Sequence, residues 1–135
     1  MKVLQFAFTG EDSVDLPHNY PRNCVAYPGT HDNNTLKGWF DSELGAAGQK
    51  QARAYFALSK QEGELRGLLR GVLASPAVLA IVPLADWLEE PAASRMNTPG
   101  QAQGNWCWRA DAAAVTPALA KEIRALCARY FRAEA

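Results

Sequence analysis

Asp32 stands in the segment Tyr27-Pro28-Gly29-Thr30-His31-Asp32-Asn33-Asn34-Thr35, which sets a carboxylate and an imidazole among amides and hydroxyls. The residues before it, Asn23-Cys24-Val25-Ala26-Tyr27, are apolar and free of breakers until Pro28-Gly29, so the polar run lies at the carboxyl end of a buried strand. Strand exits of this kind are where α/β proteins place their chemistry. Two roles are open to Asp32. It can cap a helix starting near Thr35, its side chain accepting backbone N–H groups, or it can be a working carboxylate. Cys24 and His31 could suggest a thiol dyad, but a cysteine inside an apolar strand reads as a small buried hydrophobe.

A second group of side chains lies near the other end of the chain. In an extended segment Trp106 and Trp108 point to one face, and Cys107 and Arg109 to the other. The breaker-rich stretch over 100–104 argues against a core strand there. Flat apolar rings with one polar edge suit sugar faces, whose C–H groups stack while hydroxyls seek partners. Asn97, Asn105 and Arg109 can supply such partners, and Thr98-Pro99-Gly100 forms a turn. Trp39 and Trp87 read as core residues. His18, beside Pro17 in a loop, is a further binding candidate or a locally hydrogen-bonded surface residue. Two histidines without metal-ligand spacing make a zinc site an unsuitable reading. The run Glu11-Asp12-Ser13-Val14-Asp15 lacks the central glycine and final glutamate of a calcium loop. Neither a phosphate-cradling glycine loop nor a serine elbow is present.

The elements that must position these groups follow from periodicity. The apolar run over 3–8 reads as a first strand, 9–22 as a long loop, 23–27 as a second strand and 77–82 as a third, stopped by Pro83. Between the second and third, Ala52, Tyr55, Phe56 and Leu58, then Leu65, Leu68, Leu69 and Val72, recur at helical spacing. Gly45 to Gly48 separates these from a short helical turn near Trp39, Gly63 divides the pair, and Ser75-Pro76 ends the helical region. Residues 84–109 form a second irregular stretch. A final helix is capped by Thr116, starts at Pro117 and carries Leu119, Ile123, Leu126, Cys127, Tyr130 and Phe131 on one face, with Lys121, Glu122, Arg124 and Arg132 opposite. Strand, helices, strand is the right-handed parallel crossover unit of an α/β fold.

Composition limits the partners. The 135 residues are 48% hydrophobic, which suits one globular segment over 1–135. Fourteen basic residues balance fourteen acidic ones without runs of like charge, against nucleic acid or a membrane surface as partner. No segment approaches a membrane span. Three cysteines without a CxxC pair fit a reducing, cytoplasmic location better than a disulfide framework.

Gly-Thr-His-Asp-Asn over 29–33 with Gly38-Trp39 resembles the 4-α-glucanotransferases, or amylomaltases, of glycoside hydrolase family 77. The blocks Lys2-Val3-Leu4-Gln5-Phe6, Leu16-Pro17-His18-Asn19-Tyr20, Pro83-Leu84, Arg95-Met96-Asn97-Thr98-Pro99-Gly100 and Gly104-Asn105-Trp106-Cys107-Trp108-Arg109 follow in the family's order. The resemblance spans the chain, but family members are several times longer. It therefore implies the C-terminal three strands and helices of a (β/α)8 TIM-type barrel, incomplete on its own.

The implied activity is transfer of an α-1,4-glucan segment to the 4-hydroxyl of an acceptor glucan by a retaining mechanism, with no cofactor and no metal. Asp32 matches the family's transition-state-stabilising acid and His31 the histidine beside the bond being broken. Asn33, His18, Asn97, Asn105, Trp106, Trp108 and Arg109 are the expected substrate-binding residues. The nucleophile and the acid/base belong to earlier strands, and Glu11, Asp12, Asp15 and Asp86 match neither motif, so the isolated chain is expected to be inactive. Its expected partners are maltooligosaccharide and the missing N-terminal part of the barrel. A non-catalytic glucan-binding or self-associating remnant is the alternative. Asn34, where the family more often has aspartate, Ala85 before Asp86, and Gln101 after Pro-Gly depart from the pattern.

Overall fold

The computed structural model describes residues 1–9 and 12–133, so Gly10 and Glu11 of the first loop lie outside the described residues. Three parallel strands, β1 (Lys2–Val3), β2 (Val25–Tyr27) and β3 (Leu79–Ala80), form a sheet in the order β1-β2-β3. Lys2 pairs with Ala26 and Val3 with Tyr27, while Val25 pairs with Leu79 and Ala26 with Ala80. Between β2 and β3 run α1 (Leu36–Gly38), which continues into a π-turn over Trp39–Glu43, then α2 (Ala46–Phe56) and α3 (Glu64–Ala74). After β3 come α4 (Leu84–Trp87), an irregular stretch and α5 (Pro117–Arg129).

The apolar run expected as a strand over 3–8 is extended only to Val3. Leu4–Phe6 instead close a 3-10 turn, with the Ala7 N–H donating to the Leu4 carbonyl at 2.8 Å. Burial gives the reason. The turn buries Leu4, Ala7 and Phe8, spaced three and four apart, and turns Phe6 outward at 50% exposure. A strand would have put Leu4, Phe6 and Phe8 on one face. Phe8 then packs edge-on against Phe56 with ring centroids 6.0 Å apart, and the interior fills with Leu36, Leu68, Leu69 and Val72. Gly71 lets α2 and α3 close on each other, because a Cβ there would lie 2.1 Å from the Phe56 ring.

The third apolar run also departs from expectation. Only Leu79–Ala80 pair as strand, and Val78, Leu79 and Ile81 are 66%, 49% and 42% exposed. Continuous apolar sequence implies cover on both faces, and among the described residues no element pairs with the outer edge of β3. A hollow of about 510 Å³ runs beside that edge, walled by Arg22, Leu79, Phe131 and Arg132.

Helix α5 starts as its sequence requires, with Thr116 Oγ1 accepting the Leu119 N–H at 3.1 Å and Pro117 in the first turn. Its end differs. Tyr130 and Phe131 lie beyond Arg129, and Phe131, at φ +56 and 96% exposed, leaves the expected apolar face. Arg132, expected on the outer face, turns back to donate to the carbonyls of Leu73 (2.6 Å), Ser75 (2.8 Å) and Ala77 (2.9 Å). Those acceptors lie at the end of α3, where unpaired carbonyls and the negative pole attract a cation. Arg132→Ala is expected to cost on the order of 2 kcal/mol, in the range of charged hydrogen bonds. Urea denaturation would measure this, with faster amide exchange along α5 as the local sign.

Candidate active site

The loop leaving β2 is held from below. Gln5 Nε2 donates to the Asn34 carbonyl at 2.9 Å, and Gly29 leaves room for that amide, since a Cβ would lie 2.5 Å from it. Asn33 is not free to meet a ligand through its carbonyl, because Oδ1 accepts the Thr30 N–H (2.9 Å) and hydroxyl (2.8 Å) and closes a tight turn. That turn lifts His31 and Asp32 into solvent, 57% and 51% exposed, with His31 Nε2 3.3 Å from Asp32 Oδ1. Asp32 does not cap α1. Thr35 does, its Oγ1 accepting the Gly38 N–H at 3.0 Å.

A second support comes from the exit of β3. Asp86 is 3% exposed, and its Oδ1 accepts the Leu36 N–H at 2.7 Å, fixing the point where the motif loop becomes helix. Burial pushes the Asp86 carboxyl up to about 6, against the opposing pull of the Leu36 N–H. Nothing in the local sequence around Asp86 announces this bond, which joins residues fifty positions apart.

The irregular stretch after α4 folds over the motif loop. The Asn97 N–H donates to the His31 carbonyl at 3.1 Å, and its side-chain Nδ2 donates to Asp32 Oδ1 at 2.5 Å. The Trp106 ring lies 5.1 Å from the His31 ring, tilted by 40°. Trp106 sits at φ +62, so the segment is not extended and strict alternation does not hold there. Both indoles nevertheless line one cavity of about 280 Å³ with His31, Thr35, Met96 and Asp86. Asp32 faces an adjoining hollow of about 380 Å³ with Tyr27, Ile81 and Pro83, and His31 and Thr30 border both spaces.

Two expected ligand groups are used within the protein. Asn105 Oδ1 accepts the Thr98 N–H at 2.8 Å and its Nδ2 donates to the Gln101 carbonyl at 2.8 Å, holding the turn over 98–105. Arg109 Nη1 donates to the carbonyls of Trp106 (3.0 Å) and Trp108 (2.8 Å), bracing the indole pair. His18 is not brought to these loops. Its Nδ1 lies 2.8 Å from the Tyr55 hydroxyl, beside Phe56, Arg70 and Pro76. Trp39 and Trp87, 5% and 6% exposed, belong to the core, as does Cys24 at 8%. Among the described residues no cluster of histidine, cysteine and acid could hold a metal ion, no helix is long and apolar enough to cross a membrane, and the three cysteines are free.

Parallel strands joined through helices, with polar side chains gathered at the strand exits, place the chain in the α/β class. Residues 1–114 match the family model described as glycoside hydrolase family 77, 4-alpha-glucanotransferase. The chain is 43% identical to a 4-alpha-glucanotransferase of Clostridium butyricum, an alignment that takes in 99% of this chain and 28% of that protein. It is 40% identical to the chloroplastic/amyloplastic 4-alpha-glucanotransferase of Solanum tuberosum, over 98% of this chain and 23% of that one. In structure it superposes on the amylomaltase from Streptococcus agalactiae in complex with acarbose with a TM-score of 0.92 and 34% identity, covering 98% of this chain and 27% of the other. The chain therefore belongs to glycoside hydrolase family 77, the 4-α-glucanotransferases, and spans about a quarter of the length of these relatives.

Proposed function

We propose that this chain is the C-terminal quarter of a cytoplasmic 4-α-glucanotransferase, forming the last three strands of its (β/α)8 barrel and one wall of its glucan site. In this reading Asp32 steadies the positive, oxocarbenium-like transition state, and His31 and Asn97 orient it and meet sugar hydroxyls. Trp106 and Trp108 offer ring faces to glucose units, while Asn33, Asn105 and Arg109 shape the loops. The nucleophile and the acid/base lie on earlier strands, which pair at the open edges of β1 and β3. The observation that carries the reading is the meeting of His31, Asp32, Asn97 and Trp106, from two separate strand exits, in one cluster.

The test is maltotriose disproportionation, followed by glucose release. The purified 135-residue chain is expected to show none, and co-expression with the preceding part of the barrel is expected to restore it. Transfer by the chain alone would overturn the division of labour, and an inactive complete polypeptide would overturn the function. The exposed apolar edge at Val78, Leu79 and Ile81 favours a second outcome for the isolated chain, self-association through β3, which solution mass would reveal.

A further inference from the structure

The pair that meets at Asp32 is held from behind by one guanidinium. Arg95 Nη2 donates to the Asp32 carbonyl at 2.7 Å, and its Nε donates to the Asn97 carbonyl at 2.9 Å. These are the two residues whose side chains join through Asn97 Nδ2 and Asp32 Oδ1. Arg95 thus grips the backbone on both sides of the contact and sets the relative position of two loops that belong to different strands. Its planar fork suits this work, since rigid donors can serve two acceptors at a fixed spacing.

Arg95 is itself positioned by Glu43. The π-turn ends at Glu43, with the Leu44 N–H donating to the Trp39 carbonyl at 2.8 Å, and the wider turn carries this carboxylate towards the site. Glu43 Oε1 lies 3.7 Å from Arg95 Nη1 and accepts Asn34 Nδ2 at 2.7 Å. Asn34 is buried, and its Oδ1 accepts the Thr35 N–H at 2.9 Å. An amide at position 34 is therefore matched to a carboxylate at 43. An aspartate there would set two anions at hydrogen-bond distance in a part-buried contact.

We infer that Arg95, anchored by Glu43 and Asn34, is the positioning residue that aims the Asp32 carboxylate. The inference rests on the role proposed for Asp32. Losing the grip leaves Asp32 in place but lets its carboxylate and the Asn97 amide part, and misplacement on the ångström scale is enough to slow a reaction by about a hundredfold.

The test uses Arg95→Lys, Asn34→Asp and the double variant that combines Asn34→Asp with Glu43→Gln, all in the complete polypeptide, with kcat and KM for maltotriose, melting temperature and a crystal structure of each. Lysine keeps the charge but cannot hold two carbonyls and Glu43 together. Arg95→Lys is expected to lower kcat about 10–100-fold with KM within about threefold, the Asn97 amide leaving Asp32. Asn34→Asp is expected to do the same, and Glu43→Gln to restore most of kcat in its presence. In the double variant the introduced glutamine can donate to the introduced carboxylate through Nε2 and accept from Arg95 through Oε1.

An unchanged kcat per folded molecule in Arg95→Lys, with only a lowered melting temperature, would overturn the inference. So would an Asn34→Asp variant that is fully active or not rescued by Glu43→Gln. If the unmodified polypeptide transfers no glucan, the functional reading fails, and the crystal structures alone decide the positioning. An Asn97 amide still on Asp32 in Arg95→Lys would then count against it, and one that has moved away would support it.

Discussion

Asp32→Asn in the complete polypeptide is expected to lower kcat for maltotriose disproportionation by about 10²–10³-fold, the loss seen when one preorganised electrostatic group is removed from a transition state. Asparagine has nearly the shape of aspartate, and its Oδ1 can still accept from Asn97 Nδ2. The loops should keep their places. What disappears is the negative charge facing a sugar ring that becomes positive only as the glycosidic bond breaks. Because that interaction grows in the transition state, kcat should fall far more than KM changes. Initial rates of glucose release, with melting temperatures as a control for folding, would measure it. A fall of less than about tenfold would remove Asp32 from the chemistry and leave it a loop residue.

Asp86→Asn is expected to stabilise the protein at neutral pH. In the folded state burial raises this carboxyl from its ordinary 3.8 to about 6. Between those values the folded chain holds a proton that the unfolded chain has released, so this group makes stability fall as pH rises through that window. Above about 6 the whole penalty is present, on the order of 3 kcal/mol for a shift of this size. Asparagine mimics the protonated acid and can keep accepting the Leu36 N–H through Oδ1, so it should avoid the penalty. Urea midpoints at about pH 7.5 and about pH 3, on either side of that window, would test this for both proteins. The variant should be more stable at the higher pH and no more stable at the lower. Asp86→Leu should lie about 1–3 kcal/mol below Asp86→Asn, because it too sheds the carboxylate but leaves the buried Leu36 N–H without a partner. Parallel pH profiles for unmodified protein and Asp86→Asn would mean that the Asp86 carboxyl titrates alike folded and unfolded.

The stability penalty at Asp86 and the proposed transfer chemistry meet at one place. The carboxylate that is costly to bury ties the beginning of α1 to the exit of β3, directly beneath the cavity lined by Trp106 and Trp108. A neutral replacement could hold the same bond, so the ionised form is not needed for the tether. Comparing Asp86→Asn with Asp32→Asn therefore separates a carboxylate that shapes the site from one that acts in it.

Local features of the chain were enough for the parallel α/β class, the breaks at Gly63 and Ser75-Pro76, the Thr116 cap and the buried Trp39 and Trp87. Each rests on neighbours a few positions apart, where spacing and turn chemistry act directly. The motif blocks also contain His31, Asp32, Asn97 and Trp106, which the tertiary structure brings together.

What the local pattern could not contain is the set of bonds between distant segments. The Leu36–Asp86, Asp32–Arg95 and Asp32–Asn97 bonds span fifty, sixty-three and sixty-five residues. Nothing in the sequence around Arg95 or Asp86 points to the partner that each takes in the fold. The apolar run over 3–8 reads as a strand, and packing selects instead the turn that buries Leu4, Ala7 and Phe8. Of the two readings open to His18, the fold takes the hydrogen-bonded surface residue, its partner being Tyr55, thirty-seven positions away. The physical reason is common to all of these. A hydrogen bond or a buried contact depends on where two segments lie in space, and that is settled by the joint packing of strands and helices, which no single stretch of residues carries.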